Sequence, residues 1–169
     1  MTILGIDPGY AIIGYGVIKH NSCKFNVIEY GAVTTEAGRP FTSRLASIFE
    51  GINEIIKRTS PDAVSIEKLF FNTNTTTAID VAQARGVILL AAKLNNIPVY
   101  EYTPLQVKSA VTGYGRAEKK QVMEMIKSLL RLEKIPKPDD TADALALAVC
   151  HAHSAGSLLG KLNSNGGAI

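Results

Sequence analysis

Three short stretches rich in apolar and β-branched residues, Thr2 to Asp7, Ile13 to Lys19 and Lys24 to Val33, follow one another across brief turns and read as successive strands of an antiparallel meander. The pattern then changes period. From Phe41 to Arg58 the residues Leu45, Ile48, Phe49, Ile52, Ile55 and Ile56 recur at helical spacing, which predicts an amphipathic helix with one buried stripe. Ala63 to Glu67 is a fourth strand, and a polar loop, residues 72–77, leads into a helix from Thr77 to about Asn95 that is apolar on every side over Gly86 to Ala92. Pro98 to Tyr102 reads as a fifth strand. Thr103-Pro104-Leu105-Gln106 has the form of a capping box with proline at the first helical position, so a helix starts there. Ala117 to Leu132 and Asp140 to Ala155 are two further helices, and the Gly-, Ser- and Asn-rich stretch Ser157 to Ile169 carries no apolar period and is expected to be disordered.

A meander followed by helix, strand, helix, strand and closing helices describes an α/β fold: a mixed five-stranded sheet, antiparallel in strands 1–3 and parallel in strands 4–5, with helices on both faces. One domain over residues 1–155 and a tail over 156–169 account for the chain. With a right-handed crossover, the ends of the first and fourth strands share a crevice into which the last helix docks its first turn.

That crevice would collect acids. Asp7 ends the first strand and is followed by Pro8-Gly9, a turn that carries its side chain clear of the core; Glu67 repeats the arrangement at the end of the fourth strand. Asp140 and Asp143, three residues apart at a helix start, share one face. Each acid alone has a duller explanation, as a turn residue or a helix cap. Four of them delivered by three separate elements are hard to attribute to capping. They form a hard-oxygen pocket suited to two Mg²⁺ ions, or Mn²⁺ in their place, and so to phosphodiester hydrolysis.

Composition narrows the surroundings. With 46% hydrophobic and 20% charged residues among 169, the sequence is that of a globular domain, without a membrane-length apolar run or a signal-type start, and a cytoplasmic protein is expected. Cys23 and Cys150 stand far apart without a Cys-x-x-Cys pattern, which points to reduced thiols and argues against structural zinc. His151 and His153, two apart on a helix, point in different directions and read as ordinary helix residues, with at most one assisting near the acids.

The formal net charge of +3 says little, but eight basic residues against three acidic ones between Pro104 and Lys137 form the footprint of a phosphate-contacting surface. Lys127, Arg131 and Lys134 suit a solvated helix face; Lys108, Arg116, Lys119 and Lys120 cluster around the turn Thr112-Gly113-Tyr114-Gly115, which favours a functional role for them. Adjacent Phe70 and Phe71, just past Glu67, cannot both enter the same core, which leaves one to stack on an unpaired base.

These residues carry a resemblance. Gly5-Ile6-Asp7-Pro8-Gly9 with Gly14-Tyr15-Gly16, Ile66-Glu67 with Phe70, Gln83-Ala84-Arg85-Gly86, Gln106-Val107-Lys108, Ala117-Glu118-Lys119, and the run from Asp140 to Ala146 closely resemble, in order, the motifs of the RuvC Holliday-junction resolvases. These are endonucleases of the RNase H-like superfamily. The resemblance implies an RNase H-like sheet, resolution of four-way DNA junctions by paired cuts in recombination and repair, and Asp7, Glu67, Asp140 and Asp143 as catalytic metal ligands. It implies DNA contacts by Lys108 and Lys119 near the cut, stacking by Phe70, and Arg85, Arg116 and Lys120 on the same DNA surface. It further implies a homodimer working beside the RuvA–RuvB branch-migration complex. The adjacent Asp139 leaves a register choice, settled on Asp140 by the spacing to Asp143. An RNase H-like nuclease acting on RNA would use the same four acids. A sugar-kinase or actin-like ATPase would need a second copy of the first-strand turn, which is missing, and a non-catalytic module of this fold should have lost an acid.

Overall fold

The structure, a computed structural model, describes residues 1–22, 24–69 and 75–156. The expectations for Phe70, Phe71 and the tail from Ser157 onward lie outside these residues. Strands β1 (Thr2–Asp7), β2 (Ile12–Asn21) and β3 (Lys24–Thr34) form the expected meander, and helix α1 (Phe41–Thr59) leads to β4 (Ala63–Glu67). Helix α2 (Thr75–Leu94), β5 (Val99–Tyr102) and helices α3 (Pro104–Thr112), α4 (Lys119–Leu129) and α5 (Asp139–Gly156) complete the order. The sheet runs β3-β2-β1-β4-β5, with β4 parallel to both β1 and β5. Among the described residues no helix is long and apolar enough to cross a membrane.

Strand alternation divides the core in two. Leu4, Ile6, Val17, Val64 and Ile66 face α1 and α2, where Ile48, Ile52, Ala84 and Ile88 meet them. Ile3 and Ile18 belong to the opposite layer, with Val111 of α3, Ile126 of α4 and Leu145 and Val149 of α5. The consequence for the acids is direct. Asp7 falls two places after Gly5 and four after Ile3, and Glu67 two after Ser65, whose hydroxyl donates to the Leu147 carbonyl of α5 at 2.7 Å. Both carboxylates therefore leave the sheet on the α5 side, from neighbouring strand ends.

Element boundaries follow local chemistry. The capping box at the start of α3 is formed, with Gln106 N donating to Thr103 Oγ1 at 3.2 Å and Thr103 N donating to Gln106 Oε1 at 2.8 Å. A second box, Glu118 with Gln121, starts α4 two residues later than the apolar pattern suggests. The same helix stops short of Leu132 because Arg131 takes a left-handed φ of 53° and Leu132 N turns back to the Lys127 carbonyl.

Candidate active site

The last helix lies almost on the sheet, and glycine makes that possible. A Cβ at Gly5 would fall inside the Ala144 carbonyl, and one at Gly14 inside the Asp140 carbonyl. Gly14 pairs with Asp7 across the β1–β2 ladder, so the first turn of α5 is seated directly beside the Asp7 strand end. Glycines inside strands are the sequence signal for such close approach. We expect Gly14→Ala to leave ligand binding intact but to lower any reaction run on these acids on the order of 100-fold, because the helix carrying Asp140 must lift away from β2. Single-turnover rates against metal-free binding would show it; equal losses in both would mean general unfolding.

The acids converge electrostatically. Burial, reinforced by the charges of Glu67, Asp143 and Asp140 and opposed only by Lys119, pushes the Asp7 carboxyl up from its ordinary range to about 8. Glu67 is raised too, by burial and then by Asp143. Lys119 Nζ lies 2.9 Å from Asp143 Oδ2 and 3.7 Å from Asp139 Oδ2. Its burial favours the neutral amine, yet the hydrogen bond and charge of Asp143, with Asp139 and Asp7, hold the ammonium above its usual range. Asp139 is turned outward: Lys137 Nζ reaches Asp139 Oδ1 at 2.6 Å, and that hydrogen bond lowers the Asp139 carboxyl. Asp140 is among the charges that raise the Asp7 carboxyl.

Among the described residues, no three His, Cys, Asp or Glu side chains close in tightly enough to grip a metal ion as they stand. The donor set nevertheless fits a hard divalent cation: hard carboxylate oxygens from two strand ends and the first turn of α5 act on one another, and their mutual repulsion and burial raise Asp7, which a cation would relieve. Glu67 and Asp143 open onto a cavity of about 260 Å³ that is otherwise walled by Lys108, Lys119, Pro104, Val107, Val122 and Leu147. A cleft lined by two lysines and two acids on apolar walls can hold a phosphodiester with its negative oxygens toward the lysines.

The other expected DNA contacts divide. Arg116 and Lys120 are exposed on the turn before α4 and its first residues, next to Lys119. Arg85 is not brought to this surface. It pairs with Glu101 on the α2 side of the sheet. His151 is buried, its Nδ1 2.7 Å from the Tyr102 hydroxyl and its pKa lowered to about 4 by burial, so it serves the core and stays neutral. His153 sits near the Ala110 carbonyl at 2.9 Å. Neither assists the acids.

The sequence model of the family described as "Crossover junction endodeoxyribonuclease RuvC" matches residues 3–151. A protein of that description from Alkaliphilus metalliredigens is 62% identical over 154 residues, covering 91% of this chain and 94% of its own. Another, from Desulfitobacterium hafniense, is 55% identical over the whole of both chains. Among solved structures, Thermus thermophilus RuvC in complex with Holliday junction substrate superposes with a TM-score of 0.87 at 37% identity, over 92% of this chain and 94% of the other. The yeast mitochondrial resolvase Ydc2, at 16% identity and a TM-score of 0.65, shares the fold.

Proposed function

Because the chain belongs to the RuvC family of crossover junction endodeoxyribonucleases, we propose that its four acids, Asp7, Glu67, Asp140 and Asp143, are the catalytic metal ligands of a nuclease that resolves four-way DNA junctions by paired, symmetric cuts. The family is metal-dependent; two Mg²⁺ ions, with Mn²⁺ able to replace them, are the reading this donor set favours. The observation that supports it is the seating of the first turn of α5 against Gly14 of β2, beside the end of β1 and next to the parallel end of β4, with Lys119 alongside.

When bound, such a cation pair lowers the pKa of a water and offsets charge on the leaving 3′ oxygen, giving 5′-phosphate and 3′-hydroxyl ends. The chain's own residues do the rest. Asp7 surrenders its proton on loading, so cation affinity rises as pH approaches about 8. Lys108 and Lys119 hold the scissile phosphate in the cavity between them and Glu67. Were Asp143 to serve a cation, Lys119 would still have Asp139, which already lies 3.7 Å from it. Arg116 and Lys120 extend the grip along the duplex arm.

Purified protein with Mg²⁺, given a four-way junction, linear duplex, a flap and an RNA hairpin at equal concentration, tests the reading. Selective cutting of the junction supports it; comparable cutting of the hairpin would favour the RNA-processing alternative. The lysine roles have a separate readout. Lys108→Ala and Lys119→Ala should each lower cleavage and remove about one unit from the salt slope of metal-free binding, while Lys127→Ala, on the last turn of α4, changes little. Equal effects at all three would mean a diffuse field without defined contacts. We also propose a homodimer built on α2. Family membership supports joint action with a RuvA–RuvB branch-migration complex, measurable as faster resolution when that complex is added.

A further inference from the structure

Arg85 has partners that give it a task other than DNA contact. Its side chain is 12% exposed and that of Glu101 22% exposed, and one guanidinium nitrogen pairs with the Glu101 carboxylate. Nε donates to the backbone carbonyl of Glu67 at 3.4 Å. Glu101 is opposite Ile66 in the β4–β5 ladder, so the pair lies on the α2 side, with the sheet between it and the carboxylates of Asp7 and Glu67. With Nε and one terminal nitrogen engaged and only 12% of the side chain exposed, little of this guanidinium is left to meet a DNA phosphate. The strand end is also tied from β5, where Lys68 N donates to the Tyr102 carbonyl at 2.9 Å. Arg85 holds the preceding carbonyl, and its rigid fork can serve a carboxylate and a carbonyl together where lysine could not.

We infer that Arg85 is a positioning residue for junction cleavage: its bridge from Glu101 to the Glu67 carbonyl fixes the strand end that presents the Glu67 carboxylate, and it makes no phosphate contact. Small misplacements of a reacting group cost rates on the order of 100-fold. The inference rests on Glu67 being one of the catalytic acids, which Glu67→Gln tests independently: wild-type cleavage by that variant would remove the premise, whatever Arg85 does.

Arg85→Met should lower single-turnover cleavage at saturating enzyme by about 10- to 100-fold while leaving metal-free junction affinity and its salt slope unchanged. A phosphate contact would give the reverse, weaker binding with a slope smaller by about one unit and a nearly normal rate at saturation. Wild-type behaviour in both would also overturn the proposal. The double variant Arg85→Met with Glu101→Gln leaves no charge unpaired and serves if the single variant folds poorly. It should melt near the wild-type temperature and still cleave slowly; a wild-type rate in the double variant would assign the single variant's loss to the orphaned Glu101 rather than to the missing tether.

Discussion

Asp7→Asn is expected to lower junction cleavage by several orders of magnitude, since it removes a carboxylate that a metal ion would need, while metal-free junction binding stays the same, or tightens above about pH 8, since it removes no phosphate contact. A second consequence sets this variant apart from an ordinary active-site knockout. In the folded, metal-free protein Asp7 keeps its proton up to about pH 8, whereas the unfolded chain releases it in the ordinary carboxyl range. The unfolded state then binds fewer protons, so the wild-type protein loses stability as pH rises between those limits. The amide of the variant does not titrate and carries no such dependence. In the presence of EDTA at pH 8 the variant should melt several degrees above wild type, with a smaller gain at pH 5, and excess Mg²⁺ should reverse the order. Near-wild-type cleavage, or a pH-independent difference in melting temperature, would show that Asp7 is not at the centre of the acid cluster.

The elements that position the acids were readable because their signals are local. Ile3 to Ile6 and Ala63 to Ile66 are apolar runs ended by an acid, and Thr103 to Gln106 spells its own cap. What stayed hidden depends on residues far apart in the chain. Lys119 meets Asp139 and Asp143 only after α5 returns to the sheet, and Arg85 finds Glu101 only once β5 has joined β4. Nothing in the Gln83-Ala84-Arg85-Gly86 motif distinguishes an arginine aimed at phosphate from one aimed at a carboxylate. Gly5 and Gly14 were visible as motif residues, and their interior strand positions hinted at a close neighbour. That the neighbour is the backbone of the helix bearing Asp140 is a fact of packing. The same holds for α2, where a segment apolar on every side gives no period from which to choose its inner face.

The structure makes that choice, and the largest assembly effect follows from it. Ala84, Ile88, Ala91 and Ala92 point into the core, and Val87 packs half-buried at its margin. Ile79, Leu90 and Leu94 remain 66%, 51% and 63% exposed, and Gly86 has open space where a side chain would stand. Spacings of seven, four and four residues align these positions along one side of the helix, an apolar stripe of the kind that soluble proteins cover. In the homodimer we propose, a second copy related by a two-fold axis would cover it self-complementarily, and a four-way junction presents two equivalent strands to such a pair. Leu90→Glu should therefore yield a folded monomer at micromolar concentration in sedimentation and convert paired cuts into single nicks: on a supercoiled cruciform, nicked circles should accumulate in place of linear product. Val87→Glu is the contrast, losing fold stability because its charge meets the core margin. If the wild-type protein sediments as a monomer and still makes both cuts in one binding event, α2 is not the dimer face and the stripe needs another partner.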